Sequence, residues 1–126
     1  MKFSYFKFPL PHRSEILGTS LLKPIIPIKI KFNDKEIRYA ALIDSGADFN
    51  IFDAAIGEQL GLNITSGLLE EFGGIQEKGG AKAFFHEVDL IIGGVNYKTK
   101  VGFSYDIAEH GFGILGQKGF FDIFAI

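Results

Sequence analysis

Residues 41–52 read ALIDSGADFNIF. A run of apolar residues ends at one acid, Asp44, breaks at Ser45-Gly46, and resumes at Phe49, Ile51 and Phe52. The chain has no other Asp-Ser/Thr-Gly. Taken alone, the tripeptide is ordinary turn chemistry: Asp and Ser bond local backbone, and Gly supplies a positive φ. A surface turn, however, needs no apolar approach such as YAALI and no apolar resumption after it. A carboxylate at the end of a buried strand is costly unless it is hydrogen-bonded or functional.

Upstream, Ile26, Ile28, Ile30 and Phe32 alternate with Pro27, Lys29 and Lys31, the period of a half-buried strand. Asn33-Asp34-Lys35 is the turn, and Glu36 to Ile43 runs back as a second strand. That strand becomes apolar on both faces near its end, which predicts a buried end. Downstream, Ile51-Phe52 predicts a short strand. Asp53 is placed to N-cap a brief helix whose apolar face is Phe52, Ile56 and Leu60, with Gly61 as its stop.

Glu71 to Phe85, EFGGIQEKGGAKAFF, is glycine-rich with a polar middle and reads as a mobile hairpin. Val88–Ile92 and Val95–Phe103 predict a second hairpin around Gly93-Gly94. The first 23 residues are ambiguous: Lys2 to Phe8 partly alternates, and Pro9 and Pro11 enforce extended backbone. Short strands with frequent turns, no long helix and no repeat argue for a mainly β barrel or sandwich.

The bulk numbers agree. The chain has 126 residues, 47% of them hydrophobic, with 14 Phe and 16 Gly, a length and composition that fit one domain with a core and many tight turns. Net charge is −2 without a basic block, so there is no electrostatic footprint for nucleic acid. The absence of cysteine excludes a disulfide framework and a thiolate metal site, and fits a reducing compartment. Lys7, Pro9 and Pro11 interrupt any signal-peptide core, and no apolar run is long enough to span a membrane. A cytoplasmic, membrane-free protein is the expectation.

Other motifs fall away. GFGILG, Gly111 to Gly116, spells G-x-G-x-x-G, but only ten residues follow and a βαβ unit cannot be built. GIQEKGG has glycine spacing like a phosphate loop but lacks its terminal Lys-Ser/Thr. His12, His86 and His110 have no metal-ligand spacing, and there is no G-x-S-x-G.

ALIDSGADFNIF resembles the active-site loop of the retropepsin-like aspartic proteases, apolar-apolar-Asp-Thr/Ser-Gly-Ala. GFGILGQKGFF resembles that family's second hallmark, two apolar residues and a Gly, followed in the family by a short helix. The glycine-rich stretch between them sits where the family carries its flap. The resemblance runs in order from about Ile26 to Phe124.

It implies a small closed β-barrel with one or two short helices, and one retropepsin-like domain over 1–126 with residues 1–23 as an N-terminal extension. It implies a homodimer in which Asp44 meets Asp44 of a second copy, so that one motif per chain suffices. Asp44 would be catalytic. Ser45 would brace the loop, Gly46 would allow close backbone approach, and Ala47 and Asp48 would line the cleft. Ile114, Leu115 and Gly116 would support the loop from beneath. Gly73, Gly74, Ile75, Gly79 and Gly80 would belong to the flap. The reaction needs no cofactor and no metal, and the partner is a peptide or protein substrate. The alternative within the same fold is an inactive dimerisation or peptide-binding module. An unrelated small β-barrel with Asp44 in a plain turn is the third possibility.

Overall fold

The computed structural model of the chain describes residues 6–14, 18–72, 81–107 and 111–122. A hairpin, β1 (Phe6–Ser14) with β2 (Gly18–Lys23), forms its own two-stranded sheet. The prolines of the ambiguous N-terminal stretch thus lie in an extended arm, where a missing N–H costs little on an edge.

The other strands are β3 (Ile25–Phe32), β4 (Lys35–Ile43), β5 (Ile51–Asp53), β6 (Leu68–Phe72), β7 (Ala81–Ile92), β8 (Val95–Ser104) and β9 (Gly113–Leu115). They run in the order β3-β4-β9-β5-β8-β7-β6, and an additional β3–β7 pairing closes the ring. Among the described residues of this sheet, β6 alone stands outside the closure, paired only to β7. The result is a closed mixed barrel: β4 with β9 and β5 with β8 are parallel, and the hairpin pairs are antiparallel.

The period-2 pattern of β3 points Ile26, Ile28 and Ile30 inward, where they are buried opposite Ala41, Tyr39 and Ile37 of β4. Phe52, Phe103, Leu90, Leu115 and Phe120 complete the core. Phe52 packs edge-on against both Tyr39 and Phe103. Burial pushes the Tyr39 phenol up to about 12, and burial together with Asp122 raises that of Tyr97 further.

The predicted turns are where expected. Asn33 takes φ 54, and Gly93 and Gly94 take φ 58 and 81, the left-handed pair of a tight hairpin turn. Lys35 is already in the strand. The helix α1 (Ala54–Gln59) is capped by Asp53, whose carboxylate accepts from Ala55 N at 2.9 Å, and is followed by Gly61 at φ 87. A 3-10 turn, Ile64–Ser66, leads to β6.

Two expectations change. The end of β4 is less buried than its sequence suggests: Ala41 is enclosed, whereas Leu42 and Ile43 are half-buried. The short helix expected after Gly116 is absent among the described residues. Turns occupy 117–122 instead, closed by Phe121 N to Gly116 O and Asp122 N to Gln117 O.

Candidate functional site

Asp44 is the first residue beyond β4. Its backbone N–H donates to Leu115 O at 3.0 Å, extending the parallel β4–β9 ladder by one bond. The chain then reverses in a turn closed by Ala47 N donating to Asp44 O at 3.1 Å. Within it the Asp44 carboxylate turns back and accepts from Gly46 N at 2.9 Å. This local bond is an Asx-turn, and it fixes the carboxylate's direction. Asp44 is half-buried, Ala47 likewise, while Ser45, Gly46 and Asp48 are exposed.

Gly46 corrects one detail of the sequence reading. Its φ lies outside the left-handed region, so the turn does not use Gly for a positive φ. What it supplies is room, since a Cβ there would sit 3.2 Å from Asp44 Oδ1.

The loop is held from beneath by the segment after β9. Gln117 N donates to Ala47 O at 2.8 Å, and Lys118 N donates to Asp48 O at 2.9 Å. The Gln117 side-chain amide donates to Ser45 O at 2.7 Å. Phe49 and Lys118 form a parallel bridge. The supporting triplet divides its work. Ile114 packs with Phe49 in a small cluster around Ile51, Ala83 and Ile107. Leu115 sits in the main core. Gly116 lies so close to the loop that a Cβ would be 2.4 Å from Phe49 O and 2.7 Å from Ala47 O. The glycines of GFGILG therefore have reasons unrelated to nucleotide binding: Gly111 turns the chain at φ 73, and Gly113 and Gly116 make space for packing.

Sequence reading missed Asn50. It is fully buried, its Oδ1 accepts from Gly116 N at 3.0 Å, and its backbone carbonyl accepts from Gly102 N at 2.8 Å. Its side chain thus ties the loop to the residue after β9, and its side-chain amide and backbone carbonyl tie it to β8. The available signal was a lone amide between Phe49 and Ile51-Phe52, a polar residue inside an apolar resumption.

β6 and β7 flank the glycine-rich stretch in register from Leu68↔Phe85 to Phe72↔Ala81, with β6 beginning before the expected Glu71. The flap residues Gly73, Gly74, Ile75, Gly79 and Gly80 lie outside the described residues. Phe85 of β7 meets Phe49 edge-on at 5.2 Å, so the hairpin base and the loop touch. Beside them opens a cavity of about 340 Å³, bordered by Phe49, Leu68, Glu70, Phe85, Lys118 and Asp122. No cluster of His, Asp or Glu able to hold a metal ion occurs among the described residues. No helix there is long and apolar enough to cross a membrane.

This architecture matches solved structures. One is the EIAV protease, complexed with the inhibitor HBY-793: 25% identity, covering 75% of this chain and 82% of that chain, with a TM-score of 0.50. Another is a retropepsin-like aspartic protease from Rickettsia conorii: 17% identity, covering 93% of this chain and 81% of that chain, with a TM-score of 0.53. No family model and no curated protein matches the sequence.

Proposed function

We propose that this chain, retropepsin-like in fold, is an aspartic endopeptidase that works as a homodimer. The observation that carries the reading is Asp44 itself: one Asp-Ser-Gly per chain, at a strand end, its carboxylate aimed by Gly46 N–H on a loop buttressed by residues 115–118.

One such carboxylate is half a site. A two-fold axis through the loops brings two together, because an isologous contact repeats the same motif from both sides. Two carboxylates at hydrogen-bond distance hold one proton between them, as is general for aspartic proteases. The ionised partner takes a proton from a water, whose oxygen attacks the scissile carbonyl carbon. The protonated partner hydrogen-bonds to the carbonyl oxygen as charge develops there. When the tetrahedral intermediate collapses, the C–N bond breaks and a proton passes to the leaving amine. Ala47 and Asp48 line the cleft, with Asp48 contacting the backbone of an extended peptide.

The test uses the half-site. Specific activity on a peptide substrate is measured against protein concentration and compared with the dimer fraction from sedimentation. Activity per chain should rise in step with dimer. Constant activity per chain down to concentrations where only monomer remains would overturn the reading. A dimer that binds peptides without cutting them would favour the binding-module alternative.

A further inference from the structure

The Ser45–Gly46 peptide group is held at both ends. Its N–H donates to Asp44 Oδ1 at 2.9 Å, and its carbonyl accepts from Gln117 Nε2 at 2.7 Å. It is also the central peptide of the turn that Ala47 N closes on Asp44 O. The central peptide of a β-turn has two orientations about 180° apart, types I and II, and the second requires a positive φ at the third residue. That residue is Gly46, which pays no steric penalty there. Its observed φ is not positive, so the loop is in the orientation that turns the N–H toward the carboxylate. A flip would swing that N–H away from Asp44.

A Cβ at this position would also be tight against Asp44 Oδ1, at 3.2 Å. The residue that makes room for the carboxylate therefore also makes the flip cheap. Besides the Asp44 carboxylate within the turn, a contact from outside can help select the orientation. Gln117 does this: only its amide N–H can face a carbonyl oxygen, and after a flip that oxygen would no longer be there to accept.

We propose that Gln117 is a positioning residue that latches the Ser45–Gly46 peptide and through it aims the Asp44 carboxylate. The proposal rests on Asp44 being the proposed catalytic group for its kinetic consequence, but not for its structural one. Gln117 is exposed, and both its backbone N–H and its carbonyl are engaged independently of the side chain, so substitution leaves the buttress standing.

The test compares Gln117→Met, which keeps the stem and loses the donor, with Gln117→Lys, which keeps a donor. The readouts are the NMR resonance and hydrogen exchange of the Gly46 amide, and kcat and KM on a peptide substrate. In the Met variant the Gly46 amide signal should move and exchange faster. Its kcat should fall about threefold to tenfold with KM within about twofold, the pattern of a group misaimed in the transition state. The Lys variant should return both readouts toward wild type. A Gly46 amide unchanged in the Met variant would overturn the latch, whatever happens to activity. A Gly46 amide that moves with Met and returns with Lys would uphold it even in a protein that cuts nothing, and only the protease reading would then fail.

Discussion

The loop 44–50 and the arm β6 border the same cavity, and they are held in opposite ways. Between Asp44 and Asn50 the chain is bonded to residues 115–118 through Asp44 N, Ser45 O, Ala47 O, Asp48 O and Asn50 Oδ1. Among the described residues β6 is paired along one edge only, and Leu68 and Leu69 are 67% and 47% exposed. In the proposed protease, a site for extended peptides would benefit from this division. The carboxylate must be fixed within fractions of an ångström, which takes a loop over-determined by its surroundings. A covering arm must admit and release a chain, which takes few contacts.

If the comparison is right, substitutions should be expensive on one side of the cavity and cheap on the other. The largest effect should come from Gly116→Ala. Its Cβ would meet the backbone oxygens of Phe49 and Ala47 at 2.4 and 2.7 Å, and neither can swing away as a side chain end could. A loss of about 3 kcal/mol in urea unfolding is expected, the upper range of overpacking. A loss within error would mean that the loop gives way, and the contrast would collapse.

Asn50→Leu comes next. It keeps the branched outline but leaves the buried Gly116 N–H without its acceptor, for about 2 kcal/mol by the same measurement. Stability equal to wild type would mean that the backbone bonds alone hold the loop.

The closed barrel beneath the loop should show a pH signature. Tyr39 has a phenol raised from 10.0 to about 12 chiefly by burial. The folded state therefore keeps a proton that the unfolded chain gives up earlier. The stability from Tyr39 is fully present below pH 10 and is lost as pH rises toward about 12. Thermal melts between these limits should fall less steeply in Tyr39→Phe than in wild type. Parallel slopes would place the alkaline sensitivity elsewhere.

The smallest effect belongs to the arm. Leu68→Ser should change stability by no more than about 0.5 kcal/mol, as exposed positions usually do. A loss near that of Asn50→Leu would show that the arm is structural, and the contrast would need redrawing.

Part of the barrel was legible in the sequence because β3 keeps a period of two: Ile26, Ile28 and Ile30 are buried as their alternation requires. Asp53 as a cap and Gly93-Gly94 as a turn were legible because their chemistry is local. Asp44 stood out from its apolar surroundings, and its place beside Leu115 follows the order of the two motifs. Asn50 and the side chain of Gln117 were not legible. Their partners, Gly116 and Ser45, lie 66 and 72 residues away, and no spacing or period encodes a long-range side-chain bond. The helix expected after Gly116 was borrowed from the family pattern. In this chain the carbonyls of Gly116 and Gln117 accept from residues five positions on, which closes a turn instead.

The most direct test of the central claim sets wild type beside Asp44→Asn. The asparagine keeps an oxygen for Gly46 N–H, so the turn survives and only the acid is removed. Both proteins are incubated with a proteome-derived peptide library from about pH 4 to pH 7, and the products are read by mass spectrometry. Cleavage by wild type should disappear in Asp44→Asn at unchanged fold and unchanged dimer fraction. Cleavage that persists in Asp44→Asn, or none from folded, dimeric wild type at any pH, would contradict it.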